Sequence, residues 1–402
     1  MMDYLKYCLV LNLVLSSVSY AAPVAGRRLI KRKMQPHINV LIGKELESVL
    51  ISGFDLKRKF HTNKSTKQFK GRKSIKFNCL GFANKNIGRL NKPLLLASLK
   101  SGTGLLTVNR NKYQGELLVV ASHNESSCDL INQVPLESYL SSLLAKEMNS
   151  SWHVEALKAQ AVAARSYAIH KIESQQVSRG YGYDVFYDLE SSEKHQVAGS
   201  FLDTTRKTEF ATRSTRGEVL VDNRGKLKPI FFHASCGGKT LKPSQVWANK
   251  VYGYKGVPCR YCLTNKKRRW NKEISQKRFN GFLRWAKRKG HLKKSLSVGQ
   301  KSWSQVRIAS DRFRNRQIRM YLGRKQFIIE KNHLRRYFGR VVMPSNFFKF
   351  VKTKHGYFAK GQGNGHGVGM CQVGAFALAR RGWGYKKILA HYFPNFRLKK
   401  NY

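Results

Sequence analysis

Leu136, Leu140, Leu143 and Leu144 fall on one stripe at helical spacing, and Pro135 suits the first position of such a helix. Glu147 continues that stripe. At about 100° per residue its carboxylate lies at the end of an apolar face and not among solvated positions. A second helix is predicted from about Val154 to Ile172, rich in small residues (Ala156, Ala159, Ala161, Ala163, Ala164, Ala168) that let another backbone approach closely. Arg165 sits on its Leu157, Ala161 and Ala168 face, where a charged residue usually has a partner.

Strand-like runs precede these helices at Ile38 to Ile42, Leu94 to Leu96, Leu105 to Val108 and Leu117 to Ala121, separated by Gly, Asn and Lys turns. From Arg27 to about Gly71 the chain is basic, with the Ile38 run as its one strand signal. Alternation returns at Gln317 to Leu322 and Gln326 to Ile329. Ahead of these, Lys266 to Lys294 is basic with interleaved Trp270, Phe279, Phe282 and Trp285, and reads as a surface helix or an inter-lobe connection. Gly361 to Gly369 is a loop by its glycine content, and helical spacing resumes from Met370 to Arg380 before Gly382 stops it.

Composition adds a partner class. Seventy-six Lys and Arg against twenty-two Asp and Glu give a formal charge of +54 over 402 residues, which repels itself unless the protein works near a polyanion. Nucleic acid, anionic lipid and bacterial wall polymer all qualify. The amino terminus separates them: Lys6 precedes an apolar run from Cys8 to Leu15, followed by small residues through Ser19-Tyr20-Ala21. That is a signal-peptide pattern implying export with cleavage after Ala21 or Ala22, and no later stretch reaches the roughly 20 apolar residues of a membrane span. A basic nucleic-acid binder would account for the charge but not for the signal peptide or the glycine loop. Specific nucleic-acid binding is therefore not expected.

The segment from Val134-Pro135-Leu136-Glu137-Ser138-Tyr139-Leu140 through Lys146-Glu147-Met148 to Leu157-Lys158-Ala159-Gln160-Ala161-Val162-Ala163-Ala164-Arg165-Ser166-Tyr167-Ala168 resembles the SpoIID/LytB family of sporulation and amidase-enhancer proteins. Gly365-His366-Gly367-Val368-Gly369-Met370 with Gln372 and Gly374-Ala375, ending in Ile388-Leu389 and Tyr392-Phe393-Pro394, looks like that family's closing motif. The resemblance implies an α+β fold: a strand-rich body of two lobes, with the Pro135 to Ile172 helices lining a long cleft suited to an extended glycan. It divides the chain into a signal peptide (1-21), a basic segment (22-35), a family domain (36-396) and a basic tail (397-402).

The family includes lytic transglycosylases, which cleave the MurNAc-β-1,4-GlcNAc bond of peptidoglycan without water and leave a 1,6-anhydro end. The resemblance implies that Glu147 is the catalytic residue. The chemistry agrees, because one carboxylic acid can protonate the leaving glycosidic oxygen and then, as carboxylate, take the proton from the sugar's own C6 hydroxyl. An apolar helix face suits that role by disfavouring the charged form. Glu137, early in the helix, favours instead the positive end of the helix dipole. The family's other role, enhancing a wall amidase, predicts wall binding without turnover.

Several residues are candidates for substrate contact. Tyr139 and Trp152 are placed near the glutamate for stacking on a sugar face, and Tyr167 lies two residues beyond Arg165, pointing away from it on an ideal helix. Arg165 could neutralise wall carboxylates or form a buried salt bridge that fixes the helix pair. His366, Met370, Cys371 and Gln372 would line the cleft opposite Glu147. Many family members carry Ser where this chain has Cys371, which argues against a nucleophile there.

A third constellation, His233-Ala-Ser-Cys236 followed by Cys259-Arg-Tyr-Cys262, has a spacing that can supply four tetrahedral zinc ligands, and zinc has been associated with part of the family. In an oxidising compartment disulfides compete. Three cysteines on zinc and a Cys79 to Cys128 bridge would leave Cys371 free, whereas three disulfides would leave none. The metal, if bound, is structural, since the chemistry needs no cofactor.

Overall fold

Alternating apolar positions on half-buried surfaces build many of this chain's strands, and the leucine and alanine stripes build two central helices. The computed structural model describes residues 34–79, 93–121, 127–180, 186–191, 196, 199–248, 251–264, 269–299, 302–310 and 315–402. The signal-peptide residues lie outside this set. Among the described residues no helix is long and apolar enough to cross a membrane.

The first half is a mixed sheet of nine strands: β1 (His37–Leu46), β2 (Ser48–Phe60), β3 (Thr66–Asn78), β4 (Leu94–Lys100), β5 (Leu105–Val108), β6 (Asn111–Gln114), β7 (Glu116–Ala121), β8 (Cys128–Pro135) and β9 (Leu189–Glu190). Their order is β6-β5-β2-β4-β7-β8-β1-β9, with β3 added on β2. Strand β2 is shared along its length, Ser52 and Gly53 pairing with β5 and Lys57 to Phe60 with β4, so the sheet curls around a core of Ile51, Leu56, Leu99 and Leu117. A disulfide between Cys79 and Cys128 closes this body.

Strands β1 and β8 are antiparallel, with His37 opposite Pro135. The end of β8 therefore delivers the chain into α1 (Leu136–Glu147), whose first amide donates to the Pro36 carbonyl at 3.0 Å. Helix α2 (Val154–Gly180) follows, longer than the sequence spacing indicated, then α3 (Arg206–Ser214) and β10 (Glu218–Asp222). Helix α1 buries Leu136, Leu140, Leu143 and Leu144, and the alanines of α2 are fully buried.

The remaining elements are β11 (Phe232–His233), β12 (Arg269–Ser275), α4 (Gln276–Arg288), α5 (Ser302–Gln305), β13 (Val306–Ser310), β14 (Gln317–Leu322), β15 (Lys325–Glu330), α6 (Lys331–Phe338), β16 (Phe348–Thr353), β17 (Gly356–Gln362), β18 (Met370–Cys371), α7 (Gln372–Ala379), α8 (Tyr385–Tyr392) and β19 (Phe396–Lys400). The basic stretch expected to be a surface helix or an inter-lobe connection starts as strand β12, and only from Gln276 does a helix run, with Ser275 as its N-cap. Phe279 and Phe282 of that helix are buried in a core of their own with Ile318, Ile329 and Tyr357. The residues expected to form a basic tail belong largely to β19, which pairs antiparallel with β10.

Candidate functional site

Glu147 is the last residue of α1 and is half-buried. The residues on either side of it anchor the corner: Leu144 and Met148 sit in the same apolar cluster as Val368, Met370 and Ala375. Beyond the end of α1, Trp152 stacks on Phe376 of α7 at 4.6 Å between ring centroids, with 19° between planes. The α1–α2 corner and the helix that follows the glycine loop are thus one packed unit.

Arg165 is fully buried, and the structure resolves its two possible roles. Its Nε and Nη2 donate to the two carboxylate oxygens of Glu137 at 2.9 and 2.7 Å, and the remaining donors reach the Thr212 and Glu218 carbonyls and the Thr215 hydroxyl. It forms the buried salt bridge and has no donor left for a sugar or wall carboxylate. Glu137 also accepts from the Gly217 amide and from the Tyr402 hydroxyl. Burial disfavours the Glu137 carboxylate, but these donors outweigh it and hold its pKa below the ordinary glutamate value.

Other sugar-contact candidates are also turned inward. Tyr139 is buried, its hydroxyl donating to Gln196 Oε1 at 3.0 Å, while Gln196 donates onward to the Ala164 carbonyl on α2. Tyr167 is buried beside Phe231. Met370 and Cys371 are fully enclosed and Gln372 nearly so. The reason is shared: each lies on the apolar stripe or parallel bridge that joins its element to the body. Of the aromatic and loop candidates, Trp152 and His366 keep partial exposure.

The glycine loop is held by alternation. Gly363, Gly365, Gly367 and Gly369 all take positive φ, and at Gly369 a side chain would collide with the Phe231 carbonyl. Val368, between two of them, joins two histidines: its amide donates to His366 Nδ1 at 3.1 Å and its carbonyl accepts from His233 Nδ1 at 3.0 Å. These bonds set the tautomers, with the proton on Nδ1 in His233 and on Nε2 in His366. His233 Nε2 is buried with no hydrogen-bond partner among the described residues. Burial pushes the His233 pKa down to about 4; burial and the neighbouring His233, Arg335 and Arg340 charges hold His366 well below its usual value. Both rings are neutral acceptors or donors at neutral pH.

Trp247 lies over this loop, 5.1 Å from the His366 ring centroid and 4.9 Å from that of Phe231. Nothing in its sequence surroundings marked it, because it sits in an irregular segment with no periodicity.

The metal constellation differs from the sequence expectation at one position. The sulfurs of Cys236, Cys259, Cys262 and Cys371 all lie within 4.8 Å of one another, and all four residues are buried. His233 is turned away onto Val368, so the fourth member is Cys371, brought in by the parallel pairing of β11 with β18. Burial pushes the Cys371 thiol up, whereas hydrogen bonds with Cys236 and Cys259 pull Cys262 down. Four convergent sulfurs are a donor set suited to tetrahedral zinc.

Comparison with known proteins places these features in a lineage. The family model SpoIID, described as stage II sporulation protein, matches residues 124–221, which include Glu137, Glu147 and Arg165 but neither the thiol cluster nor the glycine loop. An uncharacterized protein of Brachyspira hyodysenteriae is 30% identical over 287 residues, 71% of this chain and 72% of its own length. The chain belongs to the SpoIID/LytB family. Stage II sporulation protein D of Bacillus subtilis is 25% identical over 67% of the chain and 76% of its own length. The amidase enhancer of Bacillus subtilis is 27% identical over 63% of the chain but only 39% of its own length, so this SpoIID/LytB member spans well under half of that relative.

Proposed function

We propose that this protein is an exported lytic transglycosylase of peptidoglycan, with Glu147 as its single acid/base. The observation that carries the reading is the placement of Glu147: a half-buried carboxylate ending an apolar helix face, fixed through Leu144 and Met148 to the core that also seats the glycine-histidine loop. Relatives described as a sporulation protein and an amidase enhancer support a role at the cell wall.

In this reading α1 and α2 line a long cleft between two lobes, and a glycan strand passes Glu147 there. The acid protonates the glycosidic oxygen between MurNAc and GlcNAc; the resulting carboxylate then takes the proton of the C6 hydroxyl, whose oxygen closes onto C1 to give the 1,6-anhydro end. No water enters the products, so a second carboxylate is not needed. Arg165, committed to Glu137 and to backbone carbonyls, offers no donor that would hold Glu147 ionised. His366, neutral and partly exposed beside Trp247, has its ring nitrogens engaged by the Val368 amide and the Phe232 backbone, and in this reading it and Trp247 offer a sugar ring flat faces to pack on. The excess of lysine and arginine keeps the protein on anionic wall polymer, with an attachment that weakens as ionic strength rises.

The relative named amidase enhancer favours a second reading, wall binding that aids a partner amidase without turnover. One experiment separates them: mass spectrometry of muropeptides released from intact and peptide-stripped peptidoglycan by the wild type and by Glu147→Gln. Anhydro-muramyl ends from the wild type alone support the transglycosylase. Wall binding with no new ends from either protein leaves the enhancer reading, and reducing ends mean a hydrolase.

A further inference from the structure

We infer that Cys236, Cys259, Cys262 and Cys371 bind one zinc ion through four thiolates, and that this ion pins the glycine-histidine loop to the body while His233 stays outside the coordination sphere.

Distances and surroundings both point to a metal. Tetrahedral zinc with bonds of about 2.3 Å sets its sulfurs roughly 3.8 Å apart. All four sulfurs here lie within 4.8 Å of one another, and Cys236 and Cys262 stand at 3.4 Å, too far for a disulfide and close for two buried thiols with no ion between them. The same chain does pair Cys79 with Cys128. Around the cluster, hydrogen-bond donors converge as they do around thiolates: the amides of Cys236 and Gly374 both point at Cys371 Sγ, at 3.4 and 3.3 Å, and the Tyr392 hydroxyl lies 3.1 Å from Cys259 Sγ. Room for the group is provided by Gly374, where any side chain would strike both Tyr392 and Cys259.

The consequence reaches the candidate site. Cys371 ends the strand that follows the glycine loop and caps α7, whereas the other three ligands come from a segment more than a hundred residues earlier in order of chain. The ion therefore joins the two chain segments on either side of the β11–β18 bridge, which carries His233 and Met370. With the metal on Cys371, His233 Nδ1 goes on donating to the Val368 carbonyl and the loop bearing His366 keeps its register. Binding is not a redox step: four S–H bonds ionise, four Zn–S bonds form, and the protons leave to solvent.

The inference stands independently of the role of Glu147, and its test reads the metal and not activity. Full-length protein, purified without added metal, is analysed for zinc, and cobalt(II) is then exchanged in to report the ligands by its thiolate charge-transfer and d–d bands. One zinc per chain and a four-sulfur cobalt spectrum are expected. Cys371→His, which keeps a ligand, should shift that spectrum to the three-sulfur, one-nitrogen pattern; His233→Asn should leave it unchanged; Tyr392→Phe should weaken zinc about 10- to 100-fold. A Cys236–Cys262 disulfide in peptide mapping, protein without zinc, or a cobalt spectrum altered by His233→Asn and indifferent to Cys371→His would overturn it.

Discussion

Arg165 and Glu137 meet as a two-pronged pair inside the protein, the guanidinium fully buried and both carboxylate oxygens engaged at 2.9 and 2.7 Å. Removing one partner leaves the other charged and enclosed, which costs about 3–5 kcal/mol. Arg165→Leu and Glu137→Gln are therefore each expected to lower the urea midpoint sharply. A midpoint within the experimental error of the wild type would show that water reaches the pair.

The same pair sets an acid limit. The folded-state pKa of Glu137 is depressed by Arg165, Tyr402 and Gly217 against the opposing effect of burial, so its stabilisation is fully present above the unfolded glutamate value of about 4.3 and is lost as pH falls through the folded value. Unfolding free energy should drop with acid in that window in the wild type, with a shallower slope in Glu137→Gln. Parallel slopes would assign the acid sensitivity elsewhere.

If Glu147 is the acid/base, Glu147→Gln keeps the shape of the side chain and removes the transferable proton. Release of anhydro-muropeptides is expected to fall by at least 10²- to 10⁴-fold, with circular dichroism unchanged. Retention of more than a tenth of the rate would move the chemistry to another group.

The disulfide from Cys79 to Cys128 spans 49 residues of the curled sheet. Loop-closure entropy for such a span gives about 4 kcal/mol at 25 °C. Cys79→Ala with Cys128→Ala should lower the unfolding free energy by a few kcal/mol in the absence of reductant, as read by denaturant titration; a loss under 1 kcal/mol would mean that the unfolded chain is already restrained there.

Gly199 presses on α1 so closely that a side chain would collide with the Ser142 carbonyl. Gly199→Ala should push the segment holding Gln196 and Asp203 off the helix, breaking the Tyr139 to Gln196 bond and the Lys146 to Asp203 pair. Forcing an extra methyl into a packed contact costs about 1–3 kcal/mol, and if Glu147 is the acid/base the release of anhydro-muropeptides should fall with it. Unchanged melting temperature and turnover would show that this segment is dispensable to α1.

Strands β5, β14 and β15 were legible because buried and more exposed positions alternate along them, whereas β7 and the helix pair, buried on nearly every side, were legible from their runs of leucine, valine and alanine. Strands β2 and β3 were not. In β2 the outward positions include the apolar Leu50 and Phe54 as well as Lys57 and Lys59, and most of β3 is exposed, with lysines and an arginine interspersed, so no clean apolar alternation marks either strand. At the site, His233 looked like a ligand because His-x-x-Cys spacing suits one; its imidazole is instead claimed by the Val368 carbonyl, a bond that needs the loop from far along the chain. Cys371 was misread for the same reason. Its partners are distant in sequence, and only the β11–β18 bridge reveals them.

Residues 269–362 begin and end side by side, Arg269 opposite Gln362 across β12 and β17, and the core of Phe279, Phe282, Ile318 and Tyr357 draws on that stretch alone. A segment with adjoining ends and a private interior behaves as a cassette: over evolutionary time it can be enlarged, trimmed or exchanged while the chain around it keeps the same path.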